Sequence, residues 1–171
     1  YFMNRIDKII DSLDVSIATV SAIIERNHNG KNEILVQTRW KPEIDPKYSG
    51  TLEIPAGWIG KYESVYDALK REVFEETGLR VLKIKPDIKT KIYSPRDDGA
   101  LAFVPFCCQQ QIKGSKSCAG FVFVCQIEDK EPIPQNSEVK EIIWVTKSKL
   151  KKIINETPEQ IFTFQLGALD Y

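Results

Sequence analysis

Glu72, Glu75 and Glu76 are the residues of this chain whose type and spacing point to chemistry. They stand at i, i+3 and i+4, so a helix brings all three to one face. At roughly 100° per residue, that face is the one that carries Val65, Ala68 and Leu69 one or two turns earlier. An ordinary amphipathic helix would continue its apolar stripe through positions 72 and 76, whereas here carboxylates replace it. Carboxylates this close raise one another's pKa unless a cation holds them. An acidic, oxygen-rich site suits a hard cation, Mg2+ or Mn2+. Taken alone, a glutamate triplet reads as a solvated helix face with Lys70 and Arg71 as partners. What points to a metal site is the frame around it.

That frame is a helix with defined ends. Ser64 followed three residues later by Asp67 has the pattern of a capping box, which predicts a helix starting at about Val65. Ala68, Leu69, Lys70, Arg71 and Glu72 are good helix formers. Gly78 is a natural residue to stop the helix in a left-handed conformation. The helix should therefore cover 65–77, entered from a glycine-containing loop at 57–60.

The whole run Gly57 to Leu79, GWIGKYESVYDALKREVFEETGL, resembles the signature of the Nudix hydrolases. That signature is G-x5-E-x7-R-E-U-x-E-E-x-G-U, with U aliphatic, and every fixed position is matched. The resemblance implies metal-dependent hydrolysis of a nucleoside diphosphate linked to a further group. It implies Mg2+ (or Mn2+) held by Glu72, Glu75 and Glu76, with Glu72 and Glu76 the first choices, and by the carbonyl of Ala56, just before the box glycine. Arg71, one turn from Glu75, would orient a carboxylate, and Glu63 would bind a further ion or brace the loop. The motif leaves the general base open between one of its own glutamates and an acid after the later strands. Among Glu128, Glu131, Glu138 and Glu141, the choice falls on Glu138, in a polar loop before the strand 141–145, against the alternative of a solvent-facing charge.

Three features bear on the substrate. Leu52-Glu53-Ile54-Pro55-Ala56-Gly57 resembles the E-x-P-A-G lead-in of ADP-ribose and nucleotide-sugar pyrophosphatases. Pro95, sixteen residues past Leu79, stands where the ADP-ribose subgroup carries a proline. Arg39, at a strand end that should reach the cleft, and Arg96 are of the type that holds a phosphate. Arg39, Glu53 and Arg96 are thus the candidate substrate contacts, although a loop proline or a strand-end arginine needs no functional reason. Neither the S-Q-P-W-P-F-P element of the NADH-cleaving members nor a coenzyme A signature is present. The expected reaction is cleavage of ADP-ribose or a nucleotide sugar to an NMP and a sugar phosphate. The alternatives are a MutT-like (d)NTP pyrophosphohydrolase releasing pyrophosphate, and a non-catalytic Nudix-like ligand-binding domain. The ADP-ribose resemblance also implies a homodimer.

Around the motif, 171 residues make one domain with a proper core. Apolar content of 42%, 28% charged residues and zero net charge describe an ordinary globular chain. They give no electrostatic case for nucleic acid or an anionic membrane. No apolar run is long enough to span a bilayer, and no signal-peptide pattern opens the chain. Four cysteines without a C-x-x-C pair and a single histidine, His28, argue against zinc. Cys107, Cys108 and Cys125 read as buried free thiols, and a reduced cytoplasmic setting fits.

The element pattern predicts a short N-terminal helix over 3–13 and strands at 15–25, 33–38, 51–54, 79–84, 88–93, 101–111, 119–128 and 141–145. Helices at 148–155 and 158–169 should close the chain. This order resembles the Nudix fold, an α/β/α sandwich around a mixed β-sheet.

Overall fold

The computed structural model of the protein describes residues 15–86, 90–114 and 116–171. The helix expected over 3–13 lies outside the described residues. The strands are β1 (Ile17–His28), β2 (Lys31–Arg39), β3 (Leu52–Glu53), β4 (Ala56–Trp58), β5 (Val81–Lys85), β6 (Ile92–Tyr93), β7 (Ala100–Leu101), β8 (Cys107–Gln110), β9 (Cys118–Ile127) and β10 (Val139–Thr146). The helices are α1 (Val65–Thr77), α2 (Lys147–Glu156) and α3 (Thr163–Asp170), with a 3-10 turn at Pro158–Gln160.

Eight strands form one sheet in the order β10-β2-β1-β9-β5, with β3 on β2, β4 on β1 and β8 on β9. The sheet is mixed, because β1 runs parallel to β9 while its other pairings are antiparallel. Alternation along each strand sends side chains to two faces. Val20, Ala22, Ile24, Leu35 and Phe123 pack with Val65, Ala68, Leu69 and Val73 of α1. Ile23, Ile34, Val36 and Val122 pack with Leu150 and Ile154 of α2 and Ala168 of α3. The α/β/α arrangement follows from that division.

Local sequence explains the sharpest boundaries. Asn29 and Gly30 both have positive φ, 51° and 76°, as a two-residue hairpin turn between twisted strands requires. Ser64 accepts the Asp67 amide at 3.1 Å. Gly78, at φ 70°, closes α1 with its N–H on the Phe74 carbonyl.

Several expected elements are interrupted. The strand expected over 101–111 divides into β7 and β8, since Pro105 has no N–H for a ladder, and pairing resumes as the Phe106 amide donates to Val122 at 2.7 Å. Of the strand expected over 88–93, only β6 is a strand among the described residues. The final helix expected over 158–169 is broken, because Ile161 bridges to Leu52 as a strand residue would and is fully buried. β4, where the sequence predicts only a strand end, pairs Ala56, Gly57 and Trp58 with Ser21, Val20 and Thr19. Cys125 is buried as expected, whereas Cys107 is half-buried and Cys108 exposed.

The break before α3 has a purpose in packing. It places Gln165, fully buried, against the backbone of Ile54, where the sheet ladder stops. The Ile54 amide donates to Gln165 Oε1 at 2.7 Å, and Gln165 Nε2 donates back to the Ile54 carbonyl at 3.0 Å. Gln165→Ala leaves both backbone groups buried and unpaired, at a cost of about 3 kcal/mol. Urea unfolding checks this, and a loss below about 1 kcal/mol would mean that water replaces the amide.

Candidate active site

A fork in the sheet creates the site. β1 is paired with β2 only through Glu25–His28, and its earlier part pairs with β4 through Thr19–Ser21. Beyond Val36, β2 turns to β3, pairing Gln37 with Glu53 and Thr38 with Leu52. Glu53 and Ala56 therefore lie in the crotch of the fork, and the last turn of α1 covers it. A cleft of about 610 Å3 opens there, lined among others by Arg39, Glu53, Gly57, Glu72, Glu75 and Glu138.

Glu76 points into the crotch and is only 3% exposed. Its Oε2 accepts from Gln37 Nε2 at 2.9 Å and from the Ala56 amide at 3.0 Å. The same Gln37 nitrogen reaches Glu53 Oε1 at 3.4 Å, so one amide serves two buried carboxylates. Burial, and then the charge of Glu53, hold the Glu76 carboxyl well above its ordinary range. Burial likewise raises Glu53, opposed by Arg39.

Glu72 lies against Gly57. A Cβ on that glycine would stand 1.9 Å from the Glu72 carboxyl carbon, so the carboxylate occupies the space a side chain would need. Burial raises Glu72 as well, with Arg71 opposing. Glu75, next along the cleft, is more exposed.

Arg71 ties this wall together. It donates to Glu63 through Nε at 2.8 Å and Nη2 at 2.9 Å, and to Glu72 at 2.6 Å. It also reaches Glu75 at 3.1 Å and the Trp58 carbonyl at 3.0 Å. With the Gly60 amide assisting, Arg71 holds the Glu63 carboxyl down at about 2. A folded-state pKa below the ordinary 4.5 contributes stability at higher pH, and that contribution is lost as pH falls from about 4.5 to about 2. The melting temperature of the wild type should exceed that of Glu63→Gln at pH 6, and the gap should shrink as the pH approaches 2. A gap that stays constant with pH would exclude this linkage.

On the opposite wall Arg39 is engaged in the protein's own ion pairs. It bonds Asp45 at 2.9 Å and Glu53 at 3.1 Å, and its guanidinium lies 4.7 Å from the Phe162 ring centre. The phosphate-holding role expected of Arg39 therefore competes with two carboxylates, and in this arrangement it positions Glu53. Glu138 reaches the cleft from the loop before β10 and pairs with Lys41 at 2.5 Å. Glu128, Glu131 and Glu141 do not line the cleft.

Arg96 lies outside the cleft lining. It is exposed in the turn joining β6 to β7, where Ser94 Oγ donates to the Asp98 carbonyl and Asp97 has φ 56°. The hairpin forms its own two-stranded sheet, and neither Pro95 nor Arg96 is among the residues lining the cleft.

Sequence reasoning missed Gln37, Lys41, Asp45, Phe162 and Phe164. Only Gln37 left a signal: a polar residue directly after the apolar run Ile34-Leu35-Val36, within the expected strand, that proves fully buried.

Among the described residues no three carboxylate, imidazole or thiolate groups form a ready-made metal cage. The donor chemistry nevertheless fits a hard cation. Glu53 and Glu76 are buried together with one amide side chain between them, and Glu72 sits in a glycine cradle beside Ala56. A divalent ion favours their charged forms, which burial now disfavours.

A family model described as the NUDIX domain matches residues 16–164. No curated protein matches the chain. Among solved structures, the MutT protein from Methanosarcina mazei Go1 is similar with a TM-score of 0.61 and 22% identity, covering 93% of this chain and 94% of that one. The NUDIX domain of Shewanella oneidensis NrtR, complexed with ADP ribose, gives 0.59 at 13% identity over 83% and 80%. A C. elegans Ap4A hydrolase gives 0.54 at 18% identity over 90% and 94%. At these identities the likeness concerns the fold alone.

Proposed function

The chain belongs to the NUDIX family, and from that premise we propose that its cleft hydrolyses the pyrophosphate bond of a nucleoside diphosphate linked to a sugar. ADP-ribose or a nucleotide sugar is the substrate, and an NMP and a sugar phosphate are the products. The observation that carries this is that Glu53, Glu72, Glu75 and Glu138 line one cleft, with Glu76 buried behind it and joined to Glu53 through Gln37. A cleft of about 610 Å3 is in the range that encloses a molecule of this size.

Members of this family generally use a divalent metal. When bound, it supplies positive charge against the diphosphate oxygens and lowers the pKa of a bound water. Glu72, Glu76 and the Ala56 carbonyl would hold it, with Glu75 beside them. Arg71 keeps Glu72 and Glu75 in place through its contacts to both. Glu138 accepts the proton of the attacking water as the new P–O bond forms and the bridging P–O bond breaks. Lys41, paired with it, holds its carboxylate toward the cleft.

The glutamates are all present, which favours catalysis over a binding-only role. The Glu53 to Gly57 lead-in supports a sugar-linked diphosphate over a nucleoside triphosphate. Pro95 and Arg96 give no such support, since neither lines the cleft. Purified protein with Mg2+, then Mn2+, against ADP-ribose, UDP-glucose, dNTPs and diadenosine polyphosphates, with products separated by chromatography, tests the reading. AMP with ribose 5-phosphate, or an NMP with a sugar phosphate, is expected. Pyrophosphate released from a dNTP, with ADP-ribose and UDP-glucose left intact, would assign the chain to the triphosphate class instead.

A further inference from the structure

Beyond Gly57 the cleft changes character. Thr19 faces Trp58 across the β1–β4 ladder, as Ser21 faces Ala56, so Thr19 lies about 7 Å further along the strand from the glutamates. Trp58, Cys118 and Phe164 line this part, and Lys116 stands 5.1 Å over the Trp58 ring. Gly120 pairs with Thr19 across β1 and β9. A Cβ on Gly120 would lie 2.7 Å from Thr19 Oγ1 and 2.9 Å from Phe164 Cζ. The missing side chain is thus what lets the hydroxyl and the ring edge approach one another.

Thr19 is only 5% exposed, yet its hydroxyl has no hydrogen-bond partner. Buried hydroxyls are ordinarily bonded. Valine has the same shape and would fill this position without an unpaired group, so packing alone does not account for the hydroxyl. It borders a part of the cleft lined by the Trp58 and Phe164 rings, with Gln111 and Lys116 as the neighbouring polar side chains. A phosphate would need more cations than the single Lys116 and a sugar several hydrogen bonds, whereas a planar heteroaromatic ring needs π-faces and one or two polar contacts at its edge.

We propose that Thr19, Trp58 and Phe164 form the subsite for the nucleobase, with the Thr19 hydroxyl hydrogen-bonded to the edge of the base. The proposal rests on the hydrolase reading for the orientation of substrate, with the base on this side and the diphosphate at the glutamates. It makes Thr19 a determinant of which nucleotides bind.

Calorimetric titration of the whole protein with AMP, GMP, CMP, UMP and ribose 5-phosphate tests it without requiring turnover. Thr19→Val should weaken the best-bound NMP about tenfold, as loss of one hydrogen bond would. It should leave ribose 5-phosphate affinity as it was and should not lower the melting temperature. Thr19→Ser, which restores the hydroxyl, should recover most of the affinity. Phe164→Ala should weaken all bound NMPs alike. Wild-type NMP affinity in Thr19→Val, or a Thr19→Ser variant as weak as Thr19→Val, overturns the proposal. So does a wild type that binds none of the four NMPs, even if it cleaves a substrate in the hydrolysis panel. Conversely, Thr19-dependent NMP binding by a protein that cleaves nothing in that panel would retain the base subsite and remove the hydrolase.

Discussion

Glu76→Gln is expected to lower kcat/KM by about a thousandfold while leaving the metal-free protein as stable as the wild type or more so. The two halves of this result have separate causes. Activity falls because a neutral amide cannot supply the charge that would hold a divalent ion, and the several kcal/mol which such an ion contributes to the transition state convert to about three powers of ten. Stability holds because the wild-type carboxylate is buried beside Glu53 and disfavoured there in its charged form. The amide keeps an oxygen for the Gln37 and Ala56 donors that now serve Glu76. Adding Mg2+ should raise the melting temperature of the wild type, and that rise should be absent in the variant. Turnover within a few fold of wild type would remove Glu76 from the metal site. A large drop in metal-free stability would mean that the carboxylate is a structural acceptor.

How much of this was legible in the sequence follows the range of the forces involved. The ends of α1 were, because Ser64, Asp67 and Gly78 act within one turn of the helix they bound. The Asn29-Gly30 turn is set just as locally, by residues that accept a positive φ. The single face shared by Glu72, Glu75 and Glu76 follows from helix geometry alone. By contrast, the break before α3 depends on Ile161 meeting Leu52 and on Gln165 meeting Ile54, contacts more than a hundred positions apart. No local propensity marks them. Asp45 illustrates the same limit: its loop composition says only that it is polar, and its partner Arg39 is known only once β2 and that loop are folded. For Arg96, the spacing of the neighbouring Pro95 from the motif pointed to the cleft, whereas both residues sit in the β6–β7 turn outside the cleft lining.

Two glycine substitutions should have opposite consequences, and the contrast isolates the geometry of Glu72. Neither Gly57 nor Gly167 has a positive φ, so alanine is conformationally acceptable at both. At Gly167, in α3, a Cβ meets nothing within 4 Å, and Gly167→Ala should stabilise the protein by about 0.5–1 kcal/mol with activity retained. At Gly57 the new Cβ would fall about 2 Å from both oxygens of Glu72, far inside contact distance. The carboxylate, as the mobile partner, must leave its place beside β4, and it withdraws from Arg71 Nη1 as it goes. A shift of about 1 Å in a positioned group commonly costs a hundredfold in rate, so Gly57→Ala should lose at least about a hundredfold in kcat/KM. Its melting temperature should change little, because the Glu72 carboxylate borders the open cleft, into which it can move, and makes no part of either apolar cluster. Activity and melting temperature measured side by side on both variants check this. An active Gly57→Ala would show that the Glu72 carboxylate can work from elsewhere in the cleft, and that the glycine before α1 is needed only for the course of the chain.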